Sequence, residues 1–234
     1  MLVPQGRVVM VSGANRGIGA AVAVELVRRG YSLSLGARRP GSLRAVVAED
    51  DRVVHHAYEA EDPAAAPAWV EATVARFGRL DSLVNVAGVV RDFAIEDPDE
   101  TALDEMWTVN VKGPLRLIRA ALSHLRAAGS GRVVNVASMS GKRVRGTFAP
   151  GYAMTKHAVM ALSHATRQMA WSDGVRVTAL CPSYVATDMS SAFGIDPASM
   201  IQPDDLAELV ATVLALPDTA SVAEVLVNCR LEEY

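Results

Sequence analysis

The fold is decided by residues 7–19, which read RVVMVSGANRGIG. The apolar run at the start of this stretch does not alternate with polar residues, which is typical of a parallel strand buried on both faces. Gly13, Gly17 and Gly19 follow in a turn, and a helical pattern then continues until Gly30, a residue suited to a helix C-cap. A strand, a glycine-rich turn and a helix in this order bring backbone N–H groups to one point, which predicts a site for a pyrophosphate.

The same strand–helix alternation continues along the rest of the chain. Further strands are predicted at residues 31–35, 52–57, 80–86, 132–137, 175–180 and 222–227. Helices are predicted at residues 63–77, 151–173 and 203–216. This alternation predicts an α/β fold of a single domain over residues 1–234, a doubly wound parallel sheet with helices on both faces. The least regular part, residues 183–202, is predicted to form a substrate lid within that domain.

Composition excludes several classes of protein. The chain has 234 residues, of which 50% are hydrophobic and 21% charged, with a net charge of −3. These values exclude collagen-like, disordered and disulfide-scaffold proteins and give no general attraction to nucleic acid. We see no apolar run of ~20 residues for a membrane span and expect no signal peptide, because a strand begins close to Met1. Cys181 and Cys229 are expected to be buried free thiols in the cytoplasm, and no His or Cys spacing predicts a metal site.

The end of the second strand predicts which nucleotide is bound. An acid that holds a ribose 2′-hydroxyl is usual at this position, but the sequence continues Gly36-Ala37-Arg38-Arg39. Arg38 can form a fork on a 2′-phosphate, and Arg16 of the first turn can reach the same group. The alternative is that these arginines are ordinary solvated charges. The missing acid and the two cations favour NADP(H) over NAD(H).

Tyr152 and Lys156 form a candidate acid/base pair. Four residues apart on a helix, they lie on one face. A free tyrosine has a pKa near ~10, and a neighbouring ammonium is expected to lower it. Ser138, which follows the predicted fifth strand, can donate to a carbonyl oxygen, with Ser140 as its competitor. Asn110 lies in an apolar helical stretch, where an amide must be satisfied or functional.

Together these motifs resemble the short-chain dehydrogenase/reductase family, of the single-domain type, over about residues 6–228. The family turn T-G-x-x-x-G-x-G appears with Ser12 in place of threonine. Its N-N-A-G and P-G motifs appear as Asn85-Val86-Ala87-Gly88 and Pro182-Ser183. The resemblance implies the catalytic set Asn110, Ser138, Tyr152 and Lys156. The cofactor contacts expected from the residues and the resemblance are Ser12, Gly13, Asn15, Arg16, Gly17, Ile18, Gly19, Arg38, Arg39, Asn85, Ala87, Gly88, Tyr152, Lys156, Pro182, Val185 and Thr187.

The implied reaction is hydride transfer between a nicotinamide and a carbonyl or secondary alcohol. The resemblance implies that Tyr152 exchanges the proton and that Ser138 holds the substrate oxygen. It also implies that Lys156 binds the nicotinamide ribose, that Asn110 holds a water of a proton relay, and that Thr187 contacts the carboxamide or the adjacent phosphate.

This sequence departs from the family pattern at several places. Fourteen residues separate Ser138 from Tyr152, one more than usual, so Ser140 stays a candidate for the substrate contact. Ser183 replaces a glycine at the entry to the lid and is expected to stiffen it. Tyr58 stands where the family often has an aspartate that faces adenine. It is either a stacking partner for adenine or, as we favour, a surface aromatic.

The substrate pocket is expected between the loop after Ser138 and the lid. The predicted substrate contacts are Met139, Phe148, Tyr184, Met189 and Phe193, with Val144 and Met200 as further candidate walls. These side chains favour an apolar or aromatic ketone or alcohol, although several of them can instead pack the lid on the domain. Lys142, Arg143 and Arg145 near the same loop can attract an anionic group or form a solvated cluster.

The leading hypothesis is therefore a carbonyl reductase or alcohol dehydrogenase that uses NADP(H). The alternative is a non-catalytic NADP(H)-binding regulator that senses redox state on the same fold. The partners expected are a small-molecule substrate and a second copy of the chain, because family members commonly form dimers or tetramers through the helices that match residues 102–127 and 151–172.

Overall fold

A computed structural model describes residues 1–144 and 149–231, except for the side chains of residues 192 and 193. The strands of this part are β1 (Val8–Ser12), β2 (Ser32–Ala37), β3 (Val53–Ala57), β4 (Ser82–Asn85), β5 (Arg132–Val136), β6 (Arg176–Pro182) and β7 (Glu224–Val227). The α-helices of the same part are α1 (Gly17–Arg29), α2 (Ala65–Phe77), α3 (Thr101–Trp107), α4 (Gly113–Ala127), α5 (Pro150–Met169) and α6 (Pro203–Ala215).

In this described part the strands form one parallel sheet in the order β3-β2-β1-β4-β5-β6-β7. The order reverses at β1, which pairs with both β2 and β4, and such a reversal opens a crevice at the carboxyl ends of the strands. Ser12, the last residue of β1, is in register with Gly36 of β2 and Asn85 of β4. The doubly wound parallel sheet predicted from the sequence is confirmed.

Helices cover both faces of the sheet because successive strand residues point to opposite sides. Val9 and Val11 of β1 belong to a buried cluster with residues of α1 and α6. Val8 and Met10 belong to a second cluster, on the other face, with residues of α2 and α4. This two-sided burial is why the strands are apolar at nearly every position. None of the helices in the described ranges is long and apolar enough to cross a membrane.

The predicted helix at residues 151–173 is shorter than expected. The α-helix ends at Met169, and a separate 3₁₀ turn, Trp171–Asp173, leads to Gly174 in a left-handed conformation. The guanidinium of Arg176 lies 3.7 Å from the Trp171 ring centroid, so the turn is held against the start of β6. The helix that the resemblance implies at 102–127 is interrupted by a π-helical turn, Thr108–Lys112.

The irregular segment after β6 is tied at its base. Val185 and Ile201 form an isolated parallel bridge, and the excursion between them contains the short 3₁₀ helices Asp188–Phe193 and Pro197–Ser199. Ser183, at the entry, accepts a hydrogen bond from the backbone N–H of Cys229 at 3.2 Å. Its hydroxyl therefore fixes the lid entry to the segment after β7. Both cysteines are free thiols, Cys181 buried and Cys229 half-buried.

We predict that Gly36→Ala destabilises the fold by about 1–3 kcal/mol, the usual range for overpacking a core. A Cβ at Gly36 would run into the Trp69 ring, and that ring is held by a 2.8 Å hydrogen bond from its Nε1 to Ser34. Urea unfolding measures the change in the free energy of unfolding. Gly41→Ala is the matched control, because no atom lies within 4 Å of the added Cβ. Equal losses for the two variants would contradict the prediction.

Candidate active site

The glycine turn brings two backbone segments closer than side chains permit. Gly13 has a φ of +67°, and a Cβ there would lie 2.9 Å from the Cα of Ala87. Gly17 has a φ of +53°, and its added Cβ would lie 3.0 Å from Cγ2 of Thr187. Helix α1 begins here without a side-chain cap and without an acidic residue in its first turn. Its first N–H groups are therefore free to bind an anion, and these features fit a pyrophosphate.

Two of the predicted cofactor residues support this turn from behind. The Ser12 hydroxyl accepts hydrogen bonds from the backbone N–H groups of Val86 at 3.1 Å and Ala87 at 3.3 Å. The amide of Asn85 donates to Asn135 of β5 at 2.7 Å. Their side chains thus fix the loop after β4 against β1 and β5 rather than lining the cleft.

A cleft opens above the carboxyl ends of β1, β2 and β4. The residues that line it are Gly13, Asn15, Arg16, Gly17, Ile18, Ala37, Arg38, Tyr58, Glu59, Ala60, Glu61, Val86, Ala87, Gly88, Val89, Glu105, Val109, Thr187, Asp188 and Met189. Most of the predicted cofactor residues are in this lining. Gly19 lies behind it, packed against the carbonyl of Gly13. Pro182 and Val185 are buried below it, and Arg39 is exposed beside it at the start of a 3₁₀ helix.

Tyr58 is buried rather than exposed, so our preferred interpretation of it as a surface aromatic was wrong. It is 4% exposed and lines the cleft, and its ring lies 5.0 Å from that of Trp69. Its hydroxyl is turned inward, 3.4 Å from the carbonyl oxygen of Gly113. Burial raises the pKa of this phenol, so Tyr58 presents a neutral aromatic surface to the cleft.

Asn110 links the loop after β4 to α5. It lies in the π-helical turn, 2% exposed, and its Oδ1 accepts from the backbone N–H of Val89 at 2.8 Å. Its Nδ2 donates to Thr155 at 3.1 Å, and the Thr155 hydroxyl donates to the carbonyl oxygen of Tyr152 at 2.8 Å. The Asn110 side chain is thus satisfied by protein, and it fixes the first turn of α5. Sequence patterns missed Thr155, whose only signal is its place between Tyr152 and Lys156.

The structure brings Ser138 and Tyr152 together. Ser138 follows β5, and its hydroxyl lies close enough to the Tyr152 phenol to favour a lower pKa of that phenol. The Ser138 Oγ also accepts from the backbone N–H of Ser140 at 3.1 Å, so Ser140 orients its neighbour through its backbone. Helix α5, which carries Tyr152, begins directly after Ala149, a residue with a left-handed φ of +48°.

Lys156 lies beneath the Tyr152 ring. Its Nζ is 5.4 Å from the ring centroid and donates to the carbonyl oxygen of Val136 at 2.8 Å. The same Nζ lies 3.8 Å from the position of a Cβ added to Gly88, a residue of the cleft lining. Lys156 therefore adjoins the cleft through Gly88, and Tyr152 lies beside Lys156, although neither is among the residues that line the cleft.

The pKa of Tyr152 moves in the direction opposite to our expectation. Burial raises it to about 12, and the nearby Ser138 hydroxyl only partly offsets this. Burial also lowers the pKa of Lys156 to about 8, because a site of low polarity disfavours the ammonium. The predicted acidified tyrosine was wrong for this arrangement. At neutral pH the phenol keeps its proton and can donate it.

The predicted substrate contacts are only partly at the cleft. Met189 lines it, and Tyr184 lies near it, half-buried, with the Arg230 guanidinium 5.3 Å from its ring centroid. Met139 was predicted as a wall but is buried in a core cluster between α5 and β6, so it is corrected to a packing residue. Met200, a further candidate wall, is also buried, and Val144 is exposed. Phe148 lies outside the described residues, as does the side chain of Phe193.

The basic cluster after Ser138, formed by Lys142, Arg143 and Arg145, makes ion pairs within the protein through at least one of its members. Lys142 forms a 2.6 Å ion pair with Glu224 of β7, and His164 of α5 is 2.7 Å from the same carboxylate. Arg145 of this cluster lies outside the described residues. Among those described, no His, Cys, Asp or Glu side chains group into a candidate metal site.

The chain matches the family model for the short chain dehydrogenases over residues 7–197. It is 42% identical to an agropine synthesis reductase of Rhizobium rhizogenes, over 97% of this chain and 54% of that protein. The chain therefore spans about half the length of this relative and of a second reductase of the same name. It is also 31% identical to an uncharacterized oxidoreductase of Staphylococcus haemolyticus, over 95% of this chain and 97% of that protein.

Two solved structures are similar over nearly the whole chain. One is an alcohol dehydrogenase from the archaeon Thermococcus sibiricus complexed with 5-hydroxy-NADP. It has a TM-score of 0.89 and 30% identity, and the match covers 97% of this chain and 99% of that one. The other is a metagenomic short-chain oxidoreductase in complex with NADP, with a TM-score of 0.83, 31% identity and coverage of 98% and 100%.

We predict that Lys156→Met changes how stability depends on pH. The lowered pKa of Lys156, about 8, lies below the ~10.4 of an unfolded lysine. Between these values the unfolded chain holds more protons on this residue, so wild-type stability rises with pH there. The free energy of unfolding of the variant minus that of wild type should therefore fall by up to about 3 kcal/mol from pH 7 to pH 10. Urea unfolding at both pH values measures it.

The exposed residue Lys112 offers the matched control. Lys112→Met should give a difference from wild type that is the same at both pH values. If the difference in the free energy of unfolding between Lys156→Met and wild type were also the same at both pH values, burial would not disfavour the Lys156 ammonium.

Proposed function

We propose a specific reaction for this chain, which belongs to the short-chain dehydrogenase/reductase family and is an oxidoreductase of that family. The chain transfers a hydride between NADP(H) and the carbonyl or secondary alcohol of a small molecule. The observation that carries the proposal is the neutral Tyr152 phenol, which lies beside Ser138 and Lys156, with Lys156 next to Gly88 of a cleft suited to a dinucleotide.

The cleft lining supplies the residues that would hold the cofactor. The N-terminus of α1, with Gly13, Asn15, Gly17 and Ile18, would take the pyrophosphate. The tight packing at Gly13 and Gly17 supports this role, because a side chain at either position would press on Ala87 or Thr187 and disturb the turn. Two similar proteins of known structure were solved with NADP or a derivative, which agrees with the proposal.

A 2′-phosphate would be bound by arginine. Arg38, which directly follows β2 and lines the cleft, is exposed and has no ion-pair partner among the residues that the structure describes. No acid follows β2 to compete for a ribose hydroxyl. We therefore propose that NADP(H) is preferred over NAD(H), with Arg38 as the main contact.

Tyr152 is proposed as the general acid in carbonyl reduction. When bound, the nicotinamide supplies or accepts the hydride. The pKa of Tyr152, raised to about 12, keeps the phenol protonated at neutral pH, so it can protonate an oxygen that gains negative charge. Ser138 holds that oxygen beside the phenol, so the substrate loses less orientational entropy when it reaches the transition state. The relatives named agropine synthesis reductases support reduction as the direction.

Lys156 and Asn110 are proposed to assist. The Lys156 ammonium, beside Gly88 of the cleft lining, would bind the hydroxyls of the nicotinamide ribose. The Asn110 side chain is engaged by Val89 and Thr155. A bound water of the proton relay would therefore be held by the backbone of the π-helical turn at Asn110 rather than by its side chain.

The proposed catalytic domain covers the whole chain, and residues 183–202 are proposed to close over a substrate. Met189 at the cleft and Tyr184 nearby support an apolar or aromatic carbonyl compound. We also propose a homodimer or homotetramer, because Met154 and Met169 of α5 and Trp107 of α3 are exposed large apolar side chains.

Replacement of Tyr152 by phenylalanine tests the proposal. We expect Tyr152→Phe to lower kcat by about 10²- to 10⁴-fold, the usual contribution of a general acid. The Kd for NADPH should stay within about twofold of wild type, because only the proton donor is removed. NADPH oxidation with a panel of aliphatic and aromatic ketones gives the rate, and quenching of protein fluorescence gives the Kd.

Tyr31→Phe is the control, because this buried phenol has no hydrogen-bond partner among the described residues and lies just before β2, at the end of the sheet away from the cleft. It should turn over like wild type. Full activity in Tyr152→Phe would remove Tyr152 from the reaction. Tight NADPH binding by wild type, with no turnover of any carbonyl compound, would favour the non-catalytic regulator.

The two serines after β5 should differ in their effect on rate. Ser138→Ala removes the hydroxyl beside Tyr152, and we expect kcat to fall by about 10- to 100-fold, as for the loss of an oriented hydrogen-bond donor. Ser140→Ala keeps the backbone N–H that donates to Ser138, so it should keep at least about half of the rate. A larger loss of kcat in Ser140→Ala than in Ser138→Ala would show that the Ser140 hydroxyl, and not that of Ser138, holds the substrate oxygen.

A further inference from the structure

Two contacts join the glycine turn to the lid segment at the mouth of the cleft. Arg16, the residue before α1, forms an ion pair with Asp188, with 3.2 Å between Nη1 and Oδ2. Thr187, the preceding lid residue, lies so close to Gly17 that a Cβ added there would be 3.0 Å from its Cγ2. Asp188 was not singled out by the sequence patterns, and it is 172 residues from its partner. The lid is thus docked on the turn through one charged and one steric contact.

This ion pair makes the two arginines of the cleft unequal. Arg16 and Arg38 are the cations among the described lining residues. Arg16 is paired with Asp188, whereas Arg38 has no ion pair within residues 1–144 and 149–231. The positive charge of Arg16 is therefore partly cancelled at the place where it would otherwise act on a phosphate.

The other acids of the cleft do not substitute for Asp188. Glu105 of α3 forms a bidentate pair with Arg91. Glu59 and Glu61, which follow β3, line the cleft but form no ion pair with a described residue. Asp188 is thus the acid in the described ranges that pairs with Arg16.

We propose that Asp188 is a specificity-determining residue that holds Arg16 away from the cofactor's 2′-phosphate and so limits the preference for NADP(H). This inference rests on the proposed function. For Arg16 to reach the phosphate, its guanidinium must leave Asp188. That exchange breaks the ion pair and leaves an unpaired carboxylate close to an anionic dinucleotide. Arg38 therefore reads the phosphate, and Arg16 adds little while Asp188 is charged.

The expected effect is moderate because both partners are well exposed. The Arg16 and Asp188 side chains are 67% and 77% exposed, so water screens their attraction. Exposed ion pairs of this kind change equilibria by a few fold at most. We therefore expect the removal of the Asp188 charge to raise the ratio of Kd for NADH to Kd for NADPH by about two- to fivefold.

The experiment is a double-mutant cycle read by cofactor binding alone. Kd values for NADPH and NADH are measured by titration calorimetry on wild type, Asp188→Asn, Arg16→Gln and the double variant. Asp188→Asn should raise the ratio by the stated amount, because Arg16 is released to the phosphate. In the Arg16→Gln background the same substitution should leave the ratio unchanged.

Glu61→Gln is the matched control. It removes one negative charge from the lining of the same cleft, so it should tighten both cofactors together and leave the ratio as in wild type. An equal rise of the ratio in Glu61→Gln would overturn the proposal, since general charge would then be the cause. An unchanged or lower ratio in Asp188→Asn, or an equal rise in the Arg16→Gln background, would overturn it as well.

A loss of affinity for both cofactors in Asp188→Asn, at a constant ratio, would also overturn the proposal, because it would make the pair a latch over the shared pyrophosphate. These results leave the proposed function standing. The proposed function fails in a different way: wild type then binds neither NADPH nor NADH, or it binds NADPH and turns over no carbonyl compound.

Discussion

The close contact between the end of β1 and the loop after β4 is the constraint on which the site depends. Gly13 lets the two backbones meet at Ala87, and the Ser12 hydroxyl holds the same loop through two N–H groups. The contact sets the position of Gly88, and Gly88 lies against Asn110 and Lys156. The glycine turn and the side chains of Asn110 and Lys156 are thus parts of one packed unit rather than two separate features.

The polar groups of this unit are ordered by a chain of hydrogen bonds through the start of α5. Asn110 bonds to Thr155, and Thr155 bonds to the carbonyl oxygen of Tyr152. Lys156 is held by the carbonyl oxygen of Val136 at the end of β5. Each of these side chains is buried or half-buried with a partner, which fixes the geometry before any ligand is bound.

The sequence predicted the parallel sheet and most strand positions well, because apolar runs and glycines report burial and turns directly. It predicted which residues meet at the site from motif spacing. It did not predict the raised pKa of Tyr152, because the cause is burial, which a local pattern of two residues does not contain. Met139 and Tyr58 were misplaced for a related reason, because the direction of a side chain after a strand depends on packing that local patterns do not contain.

Ala149 has a consequence for how the helix that carries Tyr152 can be altered. An alanine with a φ of +48° is held in a conformation that costs about 1–2 kcal/mol relative to the usual one. Glycine there would relieve this energy and so stabilise the chain, yet it would also widen the directions in which the helix can start. At this one backbone position, a gain in the free energy of unfolding is therefore opposed to a fixed direction of the helix that carries Tyr152.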